Sequence, residues 1–302
     1  MELGLTSFAD VRPDPGTGEM VDAGERLRNV VDEIVKAEEV GLDAYGLGEH
    51  HRPDMAASAP AVTLAAAAAR TERIRLGSAV IVLSSADPVR TFQDFSTLDQ
   101  LSRGRAELMV GRGSFIESFP LFGYSLEDYD ALFEEKLELL LAIRDSEVVN
   151  WSGRFRSAIE GQGVYPRPYQ DPLPISVGVG GTPASVVRAA RLGLSLVLAI
   201  IGGQPARFRP FVDLYRRTLE ENGHDPADFP IAVHGHGYIA EDGDQAAEDV
   251  YPSYAAMMSK IGRERGWPPM TREQYDWMRG PSGSLVVGDP EQVAAKVLQW
   301  KE

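Results

Sequence analysis

Cysteine is absent from all 302 residues. That excludes disulfide frameworks, thiolate nucleophiles and cysteine-based metal sites. Positive charge is scarce: 30 Lys and Arg stand against 45 Asp and Glu, a formal net charge of −15. Nucleic acid and anionic membrane surfaces select a basic surplus, so neither is an expected partner. Long apolar runs are missing too. The longest, Leu194–Ile201, falls far short of the ~20 residues that span a bilayer. Met1–Phe8 shows neither a basic n-region nor an apolar h-region, so a cytoplasmic location is expected. What remains is an ordinary globular composition, 43% hydrophobic and 25% charged.

The dominant positive signal is alternation of short apolar strands with amphipathic helices. Strands are expected at Glu2–Phe8, Ala44–Gly48, Ile74–Leu83, Arg105–Gly111, Pro174–Val179, Leu194–Ile201 and Pro230–Ile239. Helices are expected at Glu25–Val40, Pro60–Arg70, Pro88–Leu101, Leu126–Arg144, Pro183–Leu192 and Pro205–Glu221. Such alternation means parallel βαβ units, and this many right-handed crossovers favour an α/β fold of the (β/α)8 TIM-barrel class. Residues 1–302 are read as one barrel domain with two insertions, at about 147–173 and 246–283. The second insertion is expected to be a helical stretch followed by an aromatic- and Pro-rich loop. The eighth unit is the weak point. Ser284–Val287 and Pro290–Trp300 offer a strand and a helix; the alternative expectation is an eighth unit truncated before Glu302.

Active sites of such barrels lie at the carboxyl ends of the strands, so chemistry is expected at the strand ends. The second strand ends in Gly48-Glu49-His50-His51, two of only five histidines side by side. Imidazole titrates near neutrality and serves as acid, base or metal ligand. The fourth strand ends in Gly111-Arg112-Gly113, where glycines let the backbone come close and a guanidinium can grip an anion. The fifth ends in Gly178-Val179-Gly180-Gly181-Thr182-Pro183. Thr182 suits an N-cap and Pro183 the first helical position, so this turn reads as a phosphate cradle. It is neither a Walker motif nor a Rossmann fingerprint. His234 and His236, two apart on the seventh strand, are expected on one face, and with Phe8 and Glu49 they are substrate-pocket candidates.

Taken together, Gly48-Glu49-His50-His51, Gly77–Leu83 with Asp87-Pro88-Val89-Arg90, Leu98–Arg105 and Gly111-Arg112-Gly113 resemble the bacterial luciferase-like flavin monooxygenase family, and its uncharacterised oxidoreductase branch most. The resemblance implies FMN as cofactor, reduced by NAD(P)H or by a separate flavin reductase, and O2 as co-substrate with a small organic substrate. It implies His50, with His51 beside it, as the catalytic acid/base. Arg112 would bind the flavin phosphate together with Gly180, Gly181, Thr182 and Ser185. A non-prolyl cis peptide at Ala79–Val80 would support the flavin ring. The Ala65–Ala69 run would form a homodimer interface. No cysteine stands beside Arg112, which weighs against light emission but not against flavin binding.

Three other readings stay open on the sequence alone. One is an oxidoreductase using the deazaflavin F420. Another is a metal-dependent barrel hydrolase built on His234, His236 and the Glu49-His50-His51 cluster. The third is a non-catalytic flavin-binding protein.

Overall fold

A computed structural model describes residues 1–13, 17–113 and 115–301. They form two compact units, Met1–Gly178 and Val179–Glu302.

The first unit contains β1 (Gly4–Ser7), α1 (Ala23–Glu39), β2 (Ala44–Leu47), α2 (Pro60–Ala68), β3 (Arg75–Ser78), β4 (Ile81–Val82), α3 (Pro88–Ser102) and β5 (Ala106–Gly111). Then come α4 (Ser118–Leu121), α5 (Tyr129–Asp145), β6 (Val148–Trp151), β7 (Ile159–Gly163) and β8 (Ile175–Val179). Strands pair in parallel in the order β1-β2-β3-β5-β8, with β4 also pairing β5. The helices start where the local chemistry says they should. Asp22 caps α1 by accepting from the Gly24 and Glu25 amides, and Asp87 caps α3 through Val89 and Arg90, with Pro88 at the first helical position. Leu47, Leu76, Leu108, Phe92, Phe95 and Leu137 are among the fully buried side chains of this unit's core.

The Leu98–Arg105 run is a joint between α3 and β5. Asp99, fully buried, accepts from the Ala106 amide at 3.1 Å and from the backbone and side-chain amides of Gln170, both at 2.8 Å. Arg103 and Gly104 take left-handed φ angles of 58° and 88° that turn the chain back into the sheet. The Arg105 guanidinium then donates to the carbonyls of Ser102, Ile74, Ala68 and Thr71 and to the Thr71 hydroxyl, between 2.8 and 3.2 Å.

The second unit contains α6 (Pro183–Arg191), β9 (Ser195–Ile200), α7 (Arg209–Glu221), β10 (Ile231–Gly235), β11 (Gly237–Ile239), α8 (Gly243–Arg265), α9 (Arg272–Arg279), β12 (Val286–Gly288) and α10 (Pro290–Lys301). β9 pairs with β10 and β11 with β12, both in parallel. Ala246, Tyr254, Met258, Tyr275, Met278, Leu285 and Val287 make a core of their own among α8, α9 and β12.

Four expectations change. The alternative of a truncated eighth unit falls, because the strand and helix offered at Ser284–Val287 and Pro290–Trp300 are present as β12 and α10. The strand expected over Ile74–Leu83 is two, β3 and β4, interrupted by a cis peptide between Ala79 and Val80. The single strand expected over Pro230–Ile239 breaks at His236, where the chain changes partner from β9 to β12. The aromatic- and Pro-rich stretch after α8 is not all loop. It holds α9, capped by the Thr271 hydroxyl and buried through Tyr275 and Met278. The first insertion is a β6–β7 antiparallel hairpin.

Lys has one ammonium where Arg105 offers a planar fork of donors to five acceptors. Arg105→Lys is therefore expected to lower the free energy of unfolding by about 2–3 kcal/mol, read from urea denaturation; an unchanged midpoint would remove this joint as a stability element.

Candidate active site

Parallel register aligns the strand ends of the first unit. Ser7 lies opposite Leu47, and Leu47 opposite Ser78. The next residues along, Phe8, Gly48 and Ala79, therefore stand at one level, tied by Gly48 N–H to Ser7 O and Ala79 N–H to Leu47 O, each at 2.9 Å. Space there is tight. A Cβ on Gly48 would come within 2.5 Å of the Phe8 ring and 3.0 Å of the Ala79 carbonyl. Cβ atoms on Gly111 and Gly178 would come within 2.8 and 2.9 Å of the Val80 methyls. Three glycines thus let the cis-peptide segment sit against its neighbours.

His50 sits between two aromatic rings near these strand ends. Its ring meets Phe8 edge-on at 4.7 Å between centroids and Phe115 edge-on at 5.0 Å. It is buried, and no hydrogen bond reaches its ring nitrogens from the described residues. Burial pushes its pKa down from the ordinary 6.5 to about 4, with Arg52 and His51 adding to the shift and Asp10 and Asp54 opposing it. His50 is thus neutral at pH 7 and can accept a proton.

His51 is oriented differently. Its Nε2 is 2.7 Å from Glu49 Oε1, and its ring packs edge-on against Phe122 at 5.0 Å. Glu49, expected to face substrate, is buried, and both its oxygens are bonded within the protein: Oε2 accepts from the Val82 amide at 2.9 Å.

Arg112 follows β5 as expected. Its Nη1 pairs with Asp130 on the first turn of α5, and its guanidinium lies over the Tyr129 ring at 5.3 Å. The Tyr129 hydroxyl in turn donates to the Gly113 carbonyl at 2.5 Å. Asp130 is two-thirds exposed, and such pairs are worth only about 0–1 kcal/mol. A phosphate can therefore displace it. Sequence reasoning did not nominate Phe115, Arg52, Tyr129 or Asp130. Arg52 stood in the histidine run in plain sight, but the aromatics carry no motif and are placed only by folding.

In the second unit, the turn between β8 and α6 has the expected form. Gly181 takes φ 106°, which only glycine adopts readily, and Thr182 is extended at the N-cap with Pro183 behind it. A Cβ on Gly180 would meet nothing within 4 Å, so open space lies over the turn. The Ser185 hydroxyl is buried without a hydrogen-bond partner. An orphaned hydroxyl in the first turn of α6, with open space over Gly180, fits an anion such as a phosphate. His234 and His236 do not share the setting expected for them. His234 lies on β10 opposite Ala199, where burial lowers its pKa. His236, at the break, has Nδ1 3.3 Å from the Tyr254 hydroxyl, and its carbonyl accepts from the Val286 amide. Among the described residues no group of three or more His, Cys, Asp or Glu is placed to hold a metal ion. No helix among them is long and apolar enough to cross a membrane.

Comparison with known proteins agrees with this layout. The family model described as luciferase-like monooxygenase matches residues 1–302. The chain superposes with a TM-score of 0.83 on the monooxygenase RslO1 from Streptomyces bottropensis, at 26% identity over 99% of this chain and 89% of that one. It superposes at 0.76 on the oxygenating component of a Pseudomonas putida type II Baeyer-Villiger monooxygenase in complex with FMN, at 20% identity over 99% and 88%. These structures show the fold class expected from the strand–helix alternation. An F420-dependent glucose-6-phosphate dehydrogenase from Amycolatopsis mediterranei is 31% identical over 55% of this chain and 51% of its own length. The chain spans only part of several curated relatives it matches, between 51% and 81% of their lengths.

The neutral His50 has a thermodynamic consequence. Between about pH 4 and 6.5 the unfolded chain binds the proton and the folded one does not, so stability falls as pH drops through that window. Imidazole NMR should give His50 a midpoint near pH 4, moved upward by Phe115→Ala through hydration and less so by Arg52→Ala. A wild-type midpoint at 6.5 would show the ring to be hydrated.

Proposed function

Because the chain belongs to the luciferase-like monooxygenase family, we propose that it is an FMN-dependent monooxygenase that uses O2 to oxidise a small organic substrate. The observation that carries this reading is the buried His50 flanked by Phe8 and Phe115 at the aligned strand ends. When bound, reduced FMN supplies the electrons with which O2 is activated. The protein's own part is threefold. Gly180, Gly181, Thr182 and Ser185 of the second unit take a phosphate, with the Ser185 hydroxyl donating to it. In the first unit Arg112 is the anion ligand, exchanging Asp130 for a phosphate oxygen. His50, neutral and unbonded, accepts a proton from the reacting substrate and returns it, while Phe8 and Phe115 keep water away from that exchange.

The same reading has NAD(P)H or a partner flavin reductase delivering the electrons, and the chain working in the cytoplasm. It also has the chain acting as a homodimer through α2, whose Val62 is 71% exposed. A second reading, with F420 in place of FMN, is favoured by the similarity to the Amycolatopsis dehydrogenase.

An absorbance titration with FMN and with F420 decides between the two. Stoichiometric binding of FMN supports the proposal, and binding of F420 alone would replace it. Ser185→Ala should raise the FMN dissociation constant about tenfold, the worth of one hydrogen bond to a charged group. His50→Ala should bind FMN normally and lose about 10²–10⁴ in turnover, the range of general acid–base catalysis. Unchanged turnover in that variant would remove the proton-transfer role.

A further inference from the structure

Residue 49 touches the cis-peptide segment twice. Its backbone amide donates to the Val80 carbonyl at 3.0 Å, and its carboxylate Oε2 accepts from the Val82 amide at 2.9 Å. The other oxygen, Oε1, lies 2.7 Å from His51 Nε2. Glu49 is 8% exposed and the His51 side chain 10%. An ionised carboxylate only accepts hydrogen bonds, so the contact with His51 requires the proton to be on Nε2. In the neutral imidazole Nδ1 is then the bare acceptor. A carboxylate that fixes the tautomer and ring plane of a histidine is a recurring device beside reactive centres.

We infer that Glu49 is a positioning residue: one carboxylate oxygen holds the segment after the Ala79–Val80 bond, and the other holds His51 as the Nε2–H tautomer with Nδ1 turned to accept. Glu49 therefore does not contact substrate. It links the segment proposed to seat the flavin ring to the imidazole beside His50, so a shift in one is felt by the other. Its consequence for turnover rests on the flavin reading above; its geometry does not.

Two variants separate the two arms. In Glu49→Gln the side-chain oxygen can keep the Val82 amide, but the amide nitrogen must donate to His51 Nε2, which forces the ring proton onto Nδ1. In Glu49→Ala both arms are lost. Long-range ¹H–¹⁵N NMR of the cofactor-free protein should show His51 as the Nε2–H tautomer in the wild type and as Nδ1–H in Glu49→Gln. Hydrogen exchange at the Val82 amide should stay protected in Glu49→Gln and accelerate about tenfold or more in Glu49→Ala. With FMN, Glu49→Gln should keep its affinity within about threefold while turnover falls about 10–100-fold, the usual cost of losing an orienting partner. An unchanged tautomer in Glu49→Gln, or unchanged Val82 exchange in Glu49→Ala, overturns the assignment. If both NMR results appear in a protein that binds no FMN, the positioning role stands and the flavin proposal falls.

Discussion

Parallel register is the constraint on which the candidate site depends. In a parallel pair the strands run in step, and one residue past each strand end stands beside one residue past the next. Here that rule places Phe8, Gly48 and Ala79 side by side. Later features of the first unit follow from this level: the aromatic rings around His50, the two-point hold of residue 49 on Val80 and Val82, and the glycine clearances around Val80. A one-residue slip of β2 would turn its side chains to the opposite face.

Electrostatics in this chain is local rather than global. A net charge of −15 repels anions at long range, so an anionic group has to be recognised by short-range features. The molecule offers two of them. One is a guanidinium over the Tyr129 ring and paired to Asp130; the other is a helix start with an orphaned serine hydroxyl and open space over Gly180. The two histidines show the same principle on a smaller scale. They are adjacent in sequence, yet apolar rings surround one and a carboxylate holds the other. Burial between Phe8 and Phe115 makes His50 a neutral acceptor, whereas Glu49 dictates which nitrogen of His51 carries its proton.

The second unit shows how a helical stretch becomes a core. Alone, α8 and α9 would leave Tyr254, Met258, Tyr275 and Met278 in water. Packed with Leu285 and Val287, these side chains are buried, and the Lys296 ammonium donates to the carbonyls of Met278, Arg279 and Gly280 where α9 ends. A carbonyl cluster of this kind satisfies a buried lysine without a counter-ion, and burial holds its pKa down to about 8. The break at His236 belongs to this arrangement, because β11 leaves the partner of β10 to pair with the strand that lines this core.

Much of the molecule was legible in the sequence. Apolar periodicity placed most of the strands and the first six barrel helices to within a few residues, because burial of one face repeats at 2 or 3.6 residues whatever the tertiary context. Pro88 marked a helix start by its fixed φ, whereas the Asp22 and Asp87 caps came from the structure. The resemblance carried by short motifs located the Ala79–Val80 cis peptide. What it could not contain is chemistry made by residues far apart in the chain. Phe115 against His50, Val82 against Glu49, Asp130 against Arg112 and Tyr254 against His236 are each contacts that no local pattern encodes. The short β12 was offered by the sequence at Ser284–Val287, but its pairing with β11 is supplied by the fold. Local hydrogen bonding and periodic burial determined the elements; only tertiary packing decided which imidazole lies between aromatic rings, which is bonded to a carboxylate, and what Glu49 holds.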